Sequence, residues 1–371
     1  MVNTRTRAIV LSLRVASIAL LSVATALYAQ QAQHYKQTNL VSDLPGVATV
    51  TDTNLVNPWG LSRSSGSPWW ASDNGTGVAT LYPGTGTPAA LVVTIPPADS
   101  SSGQTGTPTG QVFNGTTDFQ IAPGKPALFI FVTEDGTVSG WNPGVKPTTA
   151  VITVNTKSAS VFKGVALATV IDSHGTTNFL YVADFRKGRI NVYDGSFHRI
   201  SLKEDAFRDD RHHGYAPFNV QNIGGNLYVA FAKPDSDKHD EVDGAGLGFV
   251  DVFSPSGRLL NRLESGWWFN APWGITQAPS DFGAYSHDIL VGQFGSGQIN
   301  VFDPVTGKFK GQLNDSTGAP ITIDGLWDIA FGGGTTSGPS TTLFFTAGTD
   351  HEQHGLFGTV TAIENLLGGD Q

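Results

Sequence analysis

Polar and apolar residues alternate from Gln298 to Phe302, as the two faces of a half-buried strand require. Residues 288–293 form a second, more apolar run, closed by the Gly-rich turn Phe294-Gly295-Ser296-Gly297. Pro272-Trp273-Gly274-Ile275 opens an earlier run, and residues 308–313 open a later one. Between the last two, Asp303-Pro304-Val305-Thr306-Gly307 is turn chemistry: proline presets φ and glycine accepts positive φ. Residues 270–309 therefore predict a four-stranded antiparallel meander.

The same unit recurs. Its opening reads Pro58-Trp59-Gly60-Leu61, Pro108-Thr109-Gly110-Gln111, Phe162-Lys163-Gly164-Val165, Pro217-Phe218-Asn219-Val220, Pro272-Trp273-Gly274-Ile275 and Leu326-Trp327-Asp328-Ile329. The third column (Gly60, Gly110, Gly164, Asn219, Gly274, Asp328) holds the residue types that best tolerate left-handed backbone, and the pattern predicts strained φ there. The third strand of each unit is expected to end at Tyr82, Trp141, Tyr193, Phe253, Phe302 and Ile363, aromatic in every unit but the last. Four strands per repeat of roughly 40–55 residues is the pattern of propeller blades. The fold class is all-β, a six-bladed β-propeller of four-stranded antiparallel blades. Residues 90–95, 150–155, 198–202, 258–263 and 308–313 supply five outer strands, and nothing after Ile363 supplies a sixth. Residues 35–41 are unassigned and fill that place, closing the ring with strands from both ends and covering an open edge.

Composition adds compartment and charge. Arg5, Arg7 and Arg14 followed by an apolar, small-residue-rich stretch to Ala29 read as a signal peptide over residues 1–29, leaving residues 30–371 as one propeller domain with no membrane span. The expected location is periplasmic or secreted, as a monomer. Losing three arginines and no carboxylate takes the net charge from −9 to −12, which excludes nucleic-acid binding by phosphate neutralisation. With 0 cysteines there are no disulfides and no thiolate metal sites, so stability must come from the core and from ring closure.

Loops between second and third strands, at residues 72–77, 133–137, 184–189, 232–248, 293–298 and 347–358, are expected at the mouth of the central channel. They carry Asp73, Glu134, Asp135 and Asp184 as well as two longer acidic sets. The blade-four loop holds Asp235, Asp237, Asp240, Glu241 and Asp243; the blade-six loop holds Asp350 and Glu352. Blades four and six flank blade five, so both loops are expected over one sector of the mouth, with only Lys233 and Lys238 as cations. Carboxylates on flexible loops suit Ca²⁺, and His351 with His354 offers a zinc alternative. Solvated turn residues are the plain alternative for each. No nucleophile motif is present, so no catalytic residue is assigned. His212-His213 beside Asp209-Asp210 reads as a solvated charge run, and Trp267-Trp268-Phe269 as packing between blades or a sugar-stacking surface.

Leu180-Tyr181-Val182-Ala183-Asp184 followed by Arg189-Ile190-Asn191-Val192-Tyr193 resembles the NHL-type propeller repeat. Asn57-Pro58-Trp59-Gly60, Tyr215-Ala216-Pro217-Phe218-Asn219-Val220-Gln221-Asn222 and Gly355-Leu356-Phe357-Gly358 resemble an uncharacterised bacterial family of exported six-bladed propellers, over nearly all of residues 36–363. Many of its members carry a Pro-Glu-Pro sorting tail. This chain ends Leu366-Leu367-Gly368-Gly369-Asp370-Gln371, so sorting by that route is not expected. The resemblance implies a fold and an export route. Function then stands between three readings: a non-enzymatic module recognising a ligand or protein at the channel mouth; a metal-dependent hydrolase or lyase of gluconolactonase-like or streptogramin-lyase-like type; and a structural envelope or matrix component. Fold alone does not choose among them.

Overall fold

The computed structural model describes residues 34–173, 175–210 and 213–363. Residues 1–29, read from the sequence as a signal peptide, and His212 lie outside the described residues. Six sheets follow one another along the chain. Blade one is Pro58–Ser62, Trp69–Asp73, Val78–Tyr82 and Val93–Thr94; blade two is Pro108–Phe113, Phe129–Thr133, Thr137–Trp141 and Val151–Asn155. Blade three is Phe162–Asp172, Gly175–Asp184, Arg189–Tyr193 and Arg199–Ile200; blade four is Ala216–Ile223, Asn226–Pro234, Phe249–Phe253 and Leu259–Arg262. Blade five is Pro272–Gln277, Ile289–Gln293, Ile299–Phe302 and Phe309–Gln312. Blade six takes Leu326–Phe331, Leu343–Gly348 and His354–Ile363, and its outer strand is His34–Ser42 from the other end of the chain. That strand pairs antiparallel with His354–Ile363, from His34 opposite Ile363 to Ser42 opposite Leu356. Tyr35 is fully buried; its hydroxyl donates to the Phe282 carbonyl at 3.0 Å and its ring stacks on Tyr285. All six third strands end at the residues the repeat predicts.

The core is divided by the blades. Among the described residues, six apolar clusters lie between neighbouring blades, and a seventh forms the hub. The hub is built from the second residue of the opening motif: Trp59, Phe218, Trp273 and Trp327 meet there. Trp59 stacks on Trp327 at 3.4 Å between ring centroids, and Trp273 stands edge-on to both.

The third column needs a correction. None of Gly60, Gly110, Gly164, Asn219, Gly274 or Asp328 has positive φ. What selects small residues is the approach of the next inner strand. A Cβ on Gly60 would lie 2.7 Å from the Thr109 carbonyl oxygen, one on Gly110 2.9 Å from the Gly164 Cα, and one on Gly274 2.6 Å from the Trp327 carbonyl oxygen. Where the column is not glycine, its side chain bonds across the joint. Asn219 Nδ2 donates to the Trp273 carbonyl, and Asp328 accepts the Leu61 amide, joining blade six to blade one.

Candidate functional site

The long loops are more ordered than their length suggests. The second strand of blade four runs to Pro234, and Glu241–Val242 pairs back on it, with Lys233 opposite Val242 and Pro234 opposite Glu241. This hairpin leaves residues 235–240 as its tip. Asp235 accepts the His239 amide and stabilises the turn. The blade-six loop shrinks to residues 349–353, because Gly355-Leu356-Phe357-Gly358 belongs to the third strand. Its turn holds Asp350, His351 and Glu352 at φ 53, 53 and 65. Three successive left-handed L-residues cost about 1–2 kcal/mol each, and the turn ends with Glu352 half-buried. Asn57 Nδ2 donates to Glu352 Oε2 at 2.7 Å, and Trp327 Nε1 holds Asn57 Oδ1 at 2.9 Å.

The residue these loops converge on was not among the sequence candidates. Lys163, in the hub position of blade three, is fully buried. Its Nζ donates to Glu134 Oε1 at 2.6 Å and to Asp240 Oδ1 at 3.2 Å. It also sits 4.6 Å above the Trp59 ring and 6.0 Å from the rings of Phe185 and Phe218. Asn74 Nδ2 holds the other oxygen of Glu134 at 2.9 Å. His239 Nδ1 lies 2.8 Å from Asp240 Oδ1. The cluster thus joins blades one, two, three and four, with Glu352 of blade six nearby.

Charge and burial set the protonation states. Burial works to lower the pKa of Lys163, but Glu134, Glu241 and Asp240 outweigh it, and the net direction is up. The hydrogen bond from His239, aided by Lys163, holds Asp240 down at about 2. The same bond raises His239. Burial pushes Glu241 up to about 8, with Lys163 opposing, and raises Glu352.

Of the sequence candidates, Glu134, Asp240, Glu241 and Glu352 share this electrostatic neighbourhood. The others do not enter it. Asp237 is exposed, Asp243 lies against Gly295 of blade five, and the backbone amide of Asp350 donates to Asp324. His351 is exposed, and His354 Nδ1 is 2.7 Å from Asp43. Among the described residues, the one set of three ligand-type side chains gathered within 4.8 Å is Glu134, His239 and Asp240. Asp73 and Asp184 turn into their own blades, accepting from Thr80 and from Ser160 and Asn191. The expectation of only Lys233 and Lys238 as local cations is corrected by Lys163. Its signal was in the repeat itself: the one charged residue in a column of Trp, Thr, Phe, Trp and Trp. The charged connection lies instead, over residues 203–210, beside a concavity of about 940 Å³ at the outer rim, where Arg262 pairs with Asp209. Trp268 stacks on Phe309 at 4.2 Å, while Trp267 stays 67% exposed.

No family model matches the chain. Two mimivirus proteins (Acanthamoeba polyphaga mimivirus), the uncharacterized proteins R648 and L690, are 32% and 31% identical over 340 residues. Each alignment spans 88% of this chain, and 80% and 85% of the two relatives. Among solved structures, a streptogramin B lyase is similar at TM-score 0.50 and 11% identity, covering 89% of this chain and 98% of its own, which supports the fold and nothing finer. The sequence relatives found are viral rather than bacterial, and the chain belongs to the family that includes R648 and L690.

Proposed function

We propose that the protein is an exported recognition module that binds a cationic ligand at the channel mouth. One observation carries the reading. Four carboxylates, Glu134, Asp240, Glu241 and Glu352, feel a single ammonium; Glu134 and Asp240 are paired with it, and among the described residues Glu241 and Glu352 meet it only at longer range. Burial favours the protonated form of Glu241 and Glu352, pushing Glu241 up to about 8. A ligand bearing positive charge would discharge those protons, so its affinity should rise with pH up to about 8, the value set for Glu241. Among metal ions Ca²⁺ is the first to test, since oxygen donors on loops favour it. Zinc through His351 and His354 has less support, because His354 is already held by Asp43.

The test uses the secreted protein, whose mature N-terminus is expected near Gln30; an intact Met1 on exported protein would remove the export half of the proposal. Ca²⁺ and a short diamine are titrated at pH 6 and pH 8.5, following melting temperature and heat. A saturable response, stronger at pH 8.5 and absent in Glu241→Gln with Glu352→Gln, is expected. No response from either cation at either pH overturns the ligand half.

A second reading rests on the same residues. Glu241 holds a proton near neutrality and His239 is oriented by Asp240, an acid and an oriented base of the kind that hydrolases and lyases use. The streptogramin B lyase shares the fold at low identity. Turnover of a lactone or cyclic ester that vanishes in both Glu241→Gln and His239→Gln would replace the recognition reading with this one.

A further inference from the structure

The space beneath the mouth already holds a cation. Glu134 and Asp240 come from different blades and point their oxygens at one place, and Lys163 Nζ fills it at 2.6 and 3.2 Å. With His239 these groups form a donor set that a free ion would use, but the ammonium stands on two of its three members. A second cation at the same two carboxylate oxygens would stand against the fully buried Lys163 ammonium and be repelled by it. The walls are specific as well. The rings of Trp59, Phe185 and Phe218 surround the nitrogen at 4.6, 6.0 and 6.0 Å. Aromatic faces give a divalent metal no ligand atom, yet they attract an organic ammonium. The three N–H bonds of a primary ammonium supply one donor for each carboxylate and leave one over.

We infer that the channel floor is a primary-ammonium seat, made of two carboxylates and three aromatic faces and filled by the chain's own Lys163. The inference deepens the proposed function by naming the cation chemistry of the mouth, and it rests on that reading for its relevance to a ligand. It concerns Glu134 and the hub rather than Glu241 and Glu352, so the two fail separately.

The experiment empties the seat and refills it. Lys163→Ala in the full mature chain removes a side-chain segment with the shape of n-propylammonium. The variant is expected to melt below wild type, and n-propylammonium to recover most of the loss, saturating with concentration. Tetramethylammonium, which has no N–H, and Ca²⁺ should recover little. Wild type should show no such recovery, and Glu134→Gln in the Lys163→Ala background should abolish it. A folded Lys163→Ala protein indifferent to n-propylammonium overturns the inference, as does equal or better recovery by Ca²⁺ or Zn²⁺. If Lys163→Ala does not fold unaided, refolding yield is the readout: the amine should raise it, and an equal yield with and without amine overturns the inference. Loss of cation binding at Glu241 and Glu352 with amine rescue intact would retire the proposed function and leave the seat standing.

Discussion

Blades one, four, five and six place Trp59, Phe218, Trp273 and Trp327 at the second residue of the opening motif, whereas blades two and three place Thr109 and Lys163 there. The first group meets as an aromatic plug. The second keeps polar atoms: Thr109 Oγ1 shares its one proton between the Phe162 carbonyl at 2.8 Å and the Val132 carbonyl at 3.2 Å, and Lys163 reaches its carboxylates. The fold asks this position only to fill space at the hub. Where four blades satisfy that demand with rings, the other two are released for polar work, and the charged site is pulled off-centre toward blades two, three and four.

The comparison can be broken at the aromatic half first. Trp327→Ala should destabilise the protein by about 3–5 kcal/mol, the cost of a large cavity in a packed core, measured by denaturant unfolding. A cost under about 1 kcal/mol would mean that the plug contributes little to the ring. In the polar half, Thr109→Val keeps the shape and strips two buried carbonyls of a donor, and should cost about 1–2 kcal/mol. An unchanged midpoint would show those bonds to be incidental.

Titration sharpens the contrast. Glu241 has a folded pKa of about 8, above its ordinary value, so the folded state holds a proton that the unfolded chain gives up. Stability should therefore fall as pH rises from about 4.5 toward 8. Asp328, pushed up to about 7 by burial, acts in the same direction. Glu241→Gln should flatten the slope without removing it, and a wild-type stability that climbs across this range would contradict the burial assigned to both groups. The smallest effect belongs to Asp240→Asn. The Asp240 side chain is 63% exposed against 11% for Glu134, so screening by water limits its pair with Lys163 to under about 1 kcal/mol at neutral pH. Asp240 is held down at about 2, so that share is present above its ordinary pKa and lost as acid takes the pH from about 4 toward 2. The variant should lack that acid limb.

The repeat made the architecture readable. Aromatic strand ends, the opening motif and the missing outer strand placed six blades and the closing strand, because each is a local pattern repeated in register. The site was readable only in part. Glu134, Asp240, Glu241 and Glu352 are all legible as loop carboxylates, but Glu134 sits in a short turn with nothing in sequence to set it above Asp135. Its importance comes from Asn74 and Lys163, which approach it from other blades. Lys163 is the odd residue of its column, but a lysine in a strand ordinarily faces water, so sequence alone does not place it in the hub. The glycine column was noticed for the wrong cause: the crowding comes from an adjacent strand, which one repeat read alone cannot show.

The outer strand of blade six sets an order of events. Its partners His34 and Ile363 bracket the whole ring, so the strand synthesised first cannot pair until the blade synthesised last has emerged. Bringing those ends together carries the loop-closure entropy of nearly the entire domain, though the cost grows only with the logarithm of its length. Blades one to five can each form a local meander before that moment, while blade six waits. A ribosome-bound chain therefore presents Tyr35 and Val41, both fully buried in the finished fold, on an unpaired strand for most of its synthesis, and completion of the circle is the step that ends this exposure.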